Sequence, residues 1–531
     1  MASRIPSLSA GFNPTVFYGA IALIACLLGF ALFNTDQAEA VFGGIQRAAA
    51  INFGWLLVVT ANLMLIGCLY MAISRLGDIR LGGKGAKPEF SRASWFAMLF
   101  STGMGIGLVF YGVAEPVMHF SSPPLTHFST PGAQTPMDVA GNAQHAMGLT
   151  FLHWGLHVWA IYAMIALAMA FVAFNRGKTL SIGAFLLQVW PRLPRIVVDL
   201  IDILAIVATV CGVATSLGLG ASQINAGLFK LFGTGDTYMA KLVIIVLVTG
   251  LATLSVGLGL VKGIKRLSQI NMVLAIGLAL FVFVAGPTVF LLDSFIQNIG
   301  YYLQRFIYLS TWTESYTSGQ WQLDWTIFFY AWWISWSPFV GVFIARISYG
   351  RTVREFVLGT LLVPSLFTFA WMTIFGDSAL HIELFGAGGL QQAVANSLPD
   401  ALFAFLDHFP ASTFLSALAV VIVVTFFVTS ADSGALVVAM IASGGDHEAG
   451  FAPRVVWAVT MGVLAAGLLF AGGLGALQTA AIVTGLPFAL VLLAMAWGVI
   501  LLLRQESELE DGLAAPAVRP IAQPGANSHA D

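Results

Sequence analysis

The chain has 531 residues, 58% of them hydrophobic and only 9% charged, with a net charge of −2; an ordinary soluble domain carries about 25% charged residues. A mean hydropathy of +0.88 and long uninterrupted apolar runs indicate an all-α polytopic membrane protein, since in hydrocarbon a helix satisfies its own backbone. No basic tract offers a footprint for nucleic acid, and Cys26, Cys68 and Cys211 all fall inside apolar runs, which argues for buried free thiols rather than a disulfide framework or a zinc site.

A spanning helix needs about 20 mostly apolar residues. On that measure twelve spans are predicted, near 16–33, 53–73, 93–120, 139–174, 197–230, 240–261, 266–292, 324–348, 352–377, 411–442, 452–472 and 476–503. The first lacks a small-residue cleavage site and reads as a retained span, not a signal peptide. With the N-terminus cytoplasmic, all 23 Lys and Arg except Arg47, Lys230, Lys241 and Arg305 fall on the inner side, as the positive-inside rule requires for twelve spans with both ends inside. The outer stretches DSFIQNIGYYLQRFIYLSTW and GGLQQAVANSLPDALFAFLDHFP are predicted to lie amphipathically in the interface, and the tail from Gln505 to be disordered.

The third span carries GMGIGLVFYGVAEP, with Gly103, Gly105, Gly107 and Gly112 in its middle and Glu115 beside Pro116. Glycines at this density either let helices pack closely or open a helix to line a cavity. The eighth span, DWTIFFYAWWISWSPFVGVFIARIS, has Pro338 and Gly341 at mid-span and favours the second reading, because interrupted helices at corresponding places in two halves mark a transporter site. An odd number of helices per unit inverts the second unit. The predicted organisation is therefore 1–92 with two spans, 93–293 as a first five-helix repeat, 294–323 as an interfacial helix, 324–504 as a second, inverted repeat, and 505–531 as a cytoplasmic tail.

In the fourth span, treated as one continuous helix, Trp154, Tyr162 and Trp159 project at about 0°, 80° and 140°. Trp325, Trp332 and Trp336 form a stripe in the eighth, with Trp333 beside it. Tryptophan usually marks the membrane interface; placed inside spans beside glycine breaks, these rings suggest a cage for a quaternary ammonium or sulfonium group, which has no hydrogen to donate but is drawn to ring faces. His153 and His157 invite a zinc reading, yet no third ligand is evident and packing histidines are favoured. Glu115 is a candidate proton carrier, although a place near the outer end of its span, bound to backbone groups, is preferred. In the tenth span Thr429, Ser430, Asp432 and Ser433 offer oxygens suited to a hard cation, and equally to bonds back to their own helix.

These segments, above all GMGIGLVFYGVAEP, HWGLHVWAIY, DWTIFFYAWWISWSPFVGVFIARISYGRTVREF and TSADS, resemble the betaine/carnitine/choline transporters from the second span to the twelfth. The resemblance implies no enzyme but a secondary transporter in the cell's inner membrane, with the inverted-repeat fold of amino-acid:sodium symporters, alternating access, and often a homotrimer. It implies a substrate box of Trp154, Trp159, Tyr162 and Trp333, with Trp336 on the path and the backbone of Gly103, Met104, Gly105, Ile106 and Gly107 facing the substrate carboxylate. Sodium, the coupling ion, would lie at Ser101, Met104, Phe426, Thr429 and Ser430. A second sodium would use Thr209 and Phe339, at a site where Val213 stands in place of the family's other hydroxyl. Gly107, where choline-type members carry Asp, points to a zwitterion; neutral Asn271 and Met272, where sodium-independent exchangers place Arg, point to sodium coupling. Glycine betaine is the first expectation, before ectoine, dimethylsulfoniopropionate, carnitine and choline. From other classes, an intramembrane metal enzyme using His153, His157 and Glu115, or a passive channel, stays as an alternative. The short acidic tail gives no support to osmosensing.

Overall fold

Backbone that crosses hydrocarbon must pair its own N–H and C=O groups, and the elements are accordingly helices. The computed structural model describes residues 12–33, 35–103, 105–124, 136–257, 261–316, 320–445, 450–510 and 512. In chain order the helices are α1 (Pro14–Phe33), α2 (Thr35–Ile73), α3 (Arg92–Gly103), α4 (Ile106–Ser121), α5 (Pro136–Trp154), α6 (Leu156–Arg176), α7 (Ile182–Val189) and α8 (Arg195–Phe232). They continue with α9 (Tyr238–Gly257), α10 (Val261–Ala285), α11 (Thr288–Thr311), the short α12 (Gln320–Gln322), α13 (Phe328–Arg346), α14 (Val353–Met372), α15 (Ser378–Phe385), α16 (Leu390–Asn396), α17 (Ala401–Leu406), α18 (Ser412–Ala442) and α19 (Phe451–Glu510). Among the described residues ten helical runs are long and apolar enough to cross a membrane. The third predicted span is not one of them, because its halves α3 and α4 have only 12 and 16 residues. The last two predicted spans form the single run α19, which leaves helical geometry at Gly472 and Gly473, the latter at φ 59°.

Two interruptions decide where the site lies, and only the first follows the sequence reading. Between α3 and α4, Gly105 is fully extended (φ −161°, ψ 178°). The fourth span, read as one continuous helix, is broken at Gly155 (φ −99°, ψ −134°). A Cβ there would stand 2.5 Å from the Phe151 carbonyl oxygen and 2.7 Å from the Phe369 ring. Neighbouring helices take up the carbonyls at the break: Trp333 Nε1 donates to His153 O (2.9 Å) and Thr368 Oγ1 to Trp154 O (2.9 Å). The angular positions assigned to Trp154, Trp159 and Tyr162 on one helix therefore do not apply, since Trp154 ends α5 and the other two belong to α6.

The eighth span reverses the expectation in the other direction, because α13 runs unbroken through Pro338 and Gly341. Proline cannot serve the carbonyl four residues back; Ser337 Oγ donates to that carbonyl, Ile334 O, at 2.7 Å. Gly341 is a packing glycine, since a Cβ would lie 2.5 Å from Ile165 Cγ2 of α6. Irregularity moves instead into π-helical turns at Leu323–Ile327 and Thr373–Asp377.

Outside the spans, α11 buries Leu291, Asn298, Tyr302 and Leu309, and Asn298 donates to Asp377 Oδ2 at 2.7 Å. The second amphipathic stretch is two short helices, α16 and α17, divided by a 3-10 turn at Leu398–Asp400 that contains Pro399 and packing against α4. The start of α3 is anchored by buried Arg351, whose guanidinium reaches Glu355 Oε1 (2.7 Å) and Phe90 O (2.5 Å) and lies 4.8 Å over the Trp95 ring. The acidic run expected to be disordered is helical as far as Glu510, and Glu506 pairs with Arg176 at 2.6 Å; the rest of the tail lies outside the described residues apart from Gly512. Cys68 and Cys211 are buried as expected, but Cys26 is exposed, on a helix whose outer face is apolar enough to meet lipid.

Because the α6–α13 contact at Gly341 has no room for a side chain, Gly341→Val should destabilise the protein by about 1–3 kcal/mol. The expected result is a lower Tm for the detergent-solubilised variant; an unchanged Tm would mean that the two helices are not packed this closely.

Candidate functional site

The first N–H groups of a helix have no partner within it, and together with the helix dipole they favour an anion at that end. At the start of α4 this end is turned into the protein. Gly105, Ile106, Gly107 and Leu108 line a cavity with about 510 Å³ of free space, mouth included. Beyond Gly105 there is open space, whereas a Cβ on Gly107 would lie 2.9 Å from Cη2 of both Trp154 and Trp332. Gly107 is thus the point at which two indoles close onto the backbone.

Opposite the helix end the cavity wall is aromatic. Trp154, Trp159, Tyr162, Trp333 and Trp336, named from the sequence, all line it, from α5, α6 and α13. Trp154 and Trp333 meet edge to face at 4.9 Å and 68°, Trp332 and Trp333 stack at 4.7 Å and 16°, and Trp159 meets Tyr162 at 5.6 Å and 83°. Such an arrangement gathers several aromatic rings around one volume, the chemistry a quaternary cation is drawn to. The break at Gly155 makes it possible, since it re-aims Trp154 relative to Trp159. Gly103 ends α3, while Met104 lies outside the described residues.

Two polar lining residues, Ser216 and Thr368, escaped the sequence reading, and Trp332 was read as a cage ring without being named among the binding residues. Trp332 belonged to the tryptophan stripe, and the crowding at Gly107 makes it a wall of the cavity. Its Nε1 donates to Gly212 O at 3.1 Å. Ser216 of α8 and Thr368 of α14 also line the cavity; single hydroxyls in apolar spans carry no sequence pattern that would single them out.

Glu115 is not near an outer end bound to backbone groups, as the sequence reading preferred. It is completely buried and bonded to side chains: Oε2 accepts from Trp154 Nε1 at 2.6 Å, and Oε1 lies 2.6 Å from His153 Nδ1 and 3.2 Å from His119 Nε2. His157 is separated from this group by the Gly155 break and meets Asn62 Oδ1 at 3.3 Å. Glu115, His119 and His153 bring three possible ligand atoms within 4.8 Å of one another, but these atoms bond one another and the second Glu115 oxygen is held by Trp154.

Phe426, Thr429 and Ser430 lie on α18, which packs against α4 and α8. Thr429 Oγ1 donates to Thr425 O at 3.0 Å and to Phe426 O at 3.2 Å. A hydroxyl that spends its proton on its own helix still has oxygen lone pairs to offer, so Thr429 fits a hard cation's donor set. Asp432 does not, because Ser255 Oγ (3.0 Å) and Arg454 Nη2 (3.2 Å) occupy its carboxyl group. The Ser101 side chain and Met104 lie outside the described residues, so that half of the predicted ligand set is not seen. For the second predicted site, Thr209 Oγ1 donates to Ala205 O at 2.8 Å; Thr209 and Phe339 sit on the adjoining helices α8 and α13, with buried Val213 one turn along. Asn271 of α10 accepts from Thr425 Oγ1 at 2.8 Å, one turn before Thr429.

A family model for the betaine/carnitine/choline transporters matches residues 15–508. The chain belongs to that family. It is similar to a glycine betaine transporter of Acinetobacter baylyi, 43% identical over 512 residues that cover 96% of this chain and 76% of that one. A glycine betaine transporter of Bacillus subtilis is 43% identical over 484 residues, 91% of this chain and 92% of its own. A glycine betaine/proline/choline transporter of Vibrio parahaemolyticus is 43% identical over 487 residues, 89% and 87% of the two chains. The family and these relatives are transporters and not enzymes, which sets aside the intramembrane metal enzyme.

The crowding at Gly107 gives this transporter a sharp test. Gly107→Ala must push aside Trp154 or Trp332, and roughly tenfold weaker binding of a trimethylammonium ligand, about 1.4 kcal/mol, is expected by calorimetric titration of purified protein. Unchanged affinity would mean that the indoles do not close on this backbone in the binding state.

Proposed function

We propose that this transporter imports glycine betaine, or a closely related quaternary-ammonium zwitterion, by sodium symport and alternating access. The observation that carries the reading is one cavity in which an aromatic wall faces the open N-terminus of α4. A trimethylammonium group among ring faces gains roughly 2 kcal/mol or more per desolvated contact. The carboxylate of the same molecule would meet the N–H groups of Ile106, Gly107 and Leu108, worth up to about 2 kcal/mol in a partly buried geometry. A choline-like cation lacks the second half of this match. Sodium held by Thr429, Ser430 and carbonyls of the unwound stretch would brace the α3–α4 break in the form that receives the carboxylate, which couples the two ligands.

The same reading counts twelve spans: the ten long runs, the broken α3–α4 pair as one more, and α19 as two divided at Gly472–Gly473. Two N-terminal spans would then precede a five-plus-five inverted repeat of the amino-acid:sodium symporter type. The charge distribution supports an inner-membrane orientation with both termini cytoplasmic. A homotrimer rests on the family resemblance alone, and native mass spectrometry of the purified protein would count the subunits.

The test is uptake of labelled glycine betaine into proteoliposomes with and without an inward sodium gradient, against ectoine, dimethylsulfoniopropionate, carnitine and choline as competitors. Saturable, sodium-driven uptake is expected. Trp333→Leu should raise KM by roughly tenfold or more, and Thr429→Ala should weaken the sodium dependence. Uptake indifferent to sodium would overturn symport and leave the cage standing; preference for choline would overturn the zwitterion.

A further inference from the structure

A cage that selects by ring faces works only while its rings keep their orientation, and this cage is built beside a broken helix. Trp154 is the last residue of α5, directly before Gly155, so regular helical backbone does not by itself fix its indole. Its N–H is held instead by Glu115 Oε2 at 2.6 Å. The other Glu115 oxygen lies 2.6 Å from His153 Nδ1, and the far nitrogen of that ring lies 2.9 Å from Thr326 Oγ1. His153 also offers its carbonyl oxygen to Trp333 Nε1 at 2.9 Å. One carboxyl group on α4 thus reaches the N–H edges of both indoles, Trp154 directly and Trp333 through His153, whose ring meets Glu115 and whose backbone carbonyl accepts from Trp333.

We propose that Glu115 is a positioning residue for the aromatic cage, fixing Trp154, and through His153 also Trp333, so that their faces and not their edges meet the substrate cation. The role rests on the cage reading given above. Glu115 does not line the cavity, and at 1.5 Å rise per residue it stands about 14 Å along α4 from Ile106, so it does not bind the carboxylate of a substrate seated at the helix end. Among the described residues the buried indole nitrogens of Trp159 and Trp336 have no partner and Trp332 donates to Gly212 O, whereas only Trp154 and Trp333 are tied by their N–H edges to Glu115 and His153. A carboxylate suits the task because charge-assisted hydrogen bonds are shorter and about twice as strong as neutral ones, and two oxygens can serve three donors on two elements. Since Glu115 and the anion-facing helix end share α4, the cage rings and the site for the substrate's carboxylate are also held in one register.

The experiment measures KM and Vmax for labelled glycine betaine in proteoliposomes of known protein content, for the unmutated transporter, Glu115→Gln, Glu115→Ala, Trp154→Phe and the Glu115→Ala/Trp154→Phe pair. N,N-dimethylglycine serves as the competing tertiary amine. Glu115→Ala should raise KM by roughly tenfold or more, with Vmax per protein within about threefold, and should lose much of the preference for the trimethyl over the dimethyl compound. Glu115→Gln, which keeps an acceptor and the shape, should recover most of the affinity. Trp154→Phe keeps a ring but no N–H, so the double variant should show much less than the product of the two single losses, as coupled residues do. Equal KM in Glu115→Ala, a loss confined to Vmax, or fully multiplicative losses in the pair would each overturn the role. If Glu115→Ala does not assemble in the membrane, a Trp154→Phe variant with unmutated KM and preference overturns it equally. No saturable betaine uptake by the unmutated protein would bring down the cage reading and this role together; betaine uptake with an unmoved Glu115→Ala brings down this role alone.

Discussion

The structure depends on a helix end whose first N–H groups are turned into the protein and onto a cavity. A buried N–H without a partner costs free energy comparable to a lost hydrogen bond, and the start of α4 concentrates several of them at Ile106, Gly107 and Leu108, facing a cavity rather than lipid. Such an end needs hydrogen-bond acceptors, and with the helix dipole an anionic acceptor suits it best. What surrounds it follows from that requirement: Gly105 extended to expose the N–H groups, Gly107 bare so that rings can close on the backbone, and an aromatic wall to hold the other end of whatever supplies the anion.

The same physics explains how a second break is tolerated close by. At Gly155 the fourth span gives up its own pairing, and the freed carbonyls of His153 and Trp154 are taken by Trp333 of α13 and Thr368 of α14. Both substitutes come from helices that also line the cavity, so the repair of the backbone and the construction of the binding wall use the same contacts. By contrast Pro338, the residue type most often blamed for breaks, leaves α13 intact because Ser337 supplies a local donor to Ile334 O. Whether a helix breaks is decided by where its orphaned groups find partners and not by the breaker alone.

Polar groups deep in the helices are likewise spent before any ligand arrives. Asp432 is closed by Arg454 and Ser255, and Glu115 by Trp154, His153 and His119. The hydroxyl of Thr429, bonded along its own helix, keeps lone pairs to give. Among these three, the one group that keeps capacity for a cation is the neutral hydroxyl, and both carboxyl groups are already bonded to side chains.

Much was legible in the sequence because membrane insertion is a one-dimensional constraint. Apolar length fixed where helices run, the distribution of Lys and Arg suggested their orientation, the glycines from Gly103 to Gly107 marked an opening, and buried tryptophans pointed to a cage whose five named rings share one cavity. The choice between breaking at Gly155 and breaking at Pro338, the entry of Ser216 and Thr368 into the cavity wall, and the attachment of Glu115 to Trp154 were decided only in the folded protein. Apart from the survival of α13 at Pro338, which rests on the neighbouring Ser337, each turns on a hydrogen-bond partner or a contact contributed by another helix far away in sequence, such as Thr368 for the carbonyl of Trp154 or Trp154 for the carboxyl group of Glu115. Periodicity within one helix carries no information about such a partner, because it reports which face a residue occupies and not what that face meets.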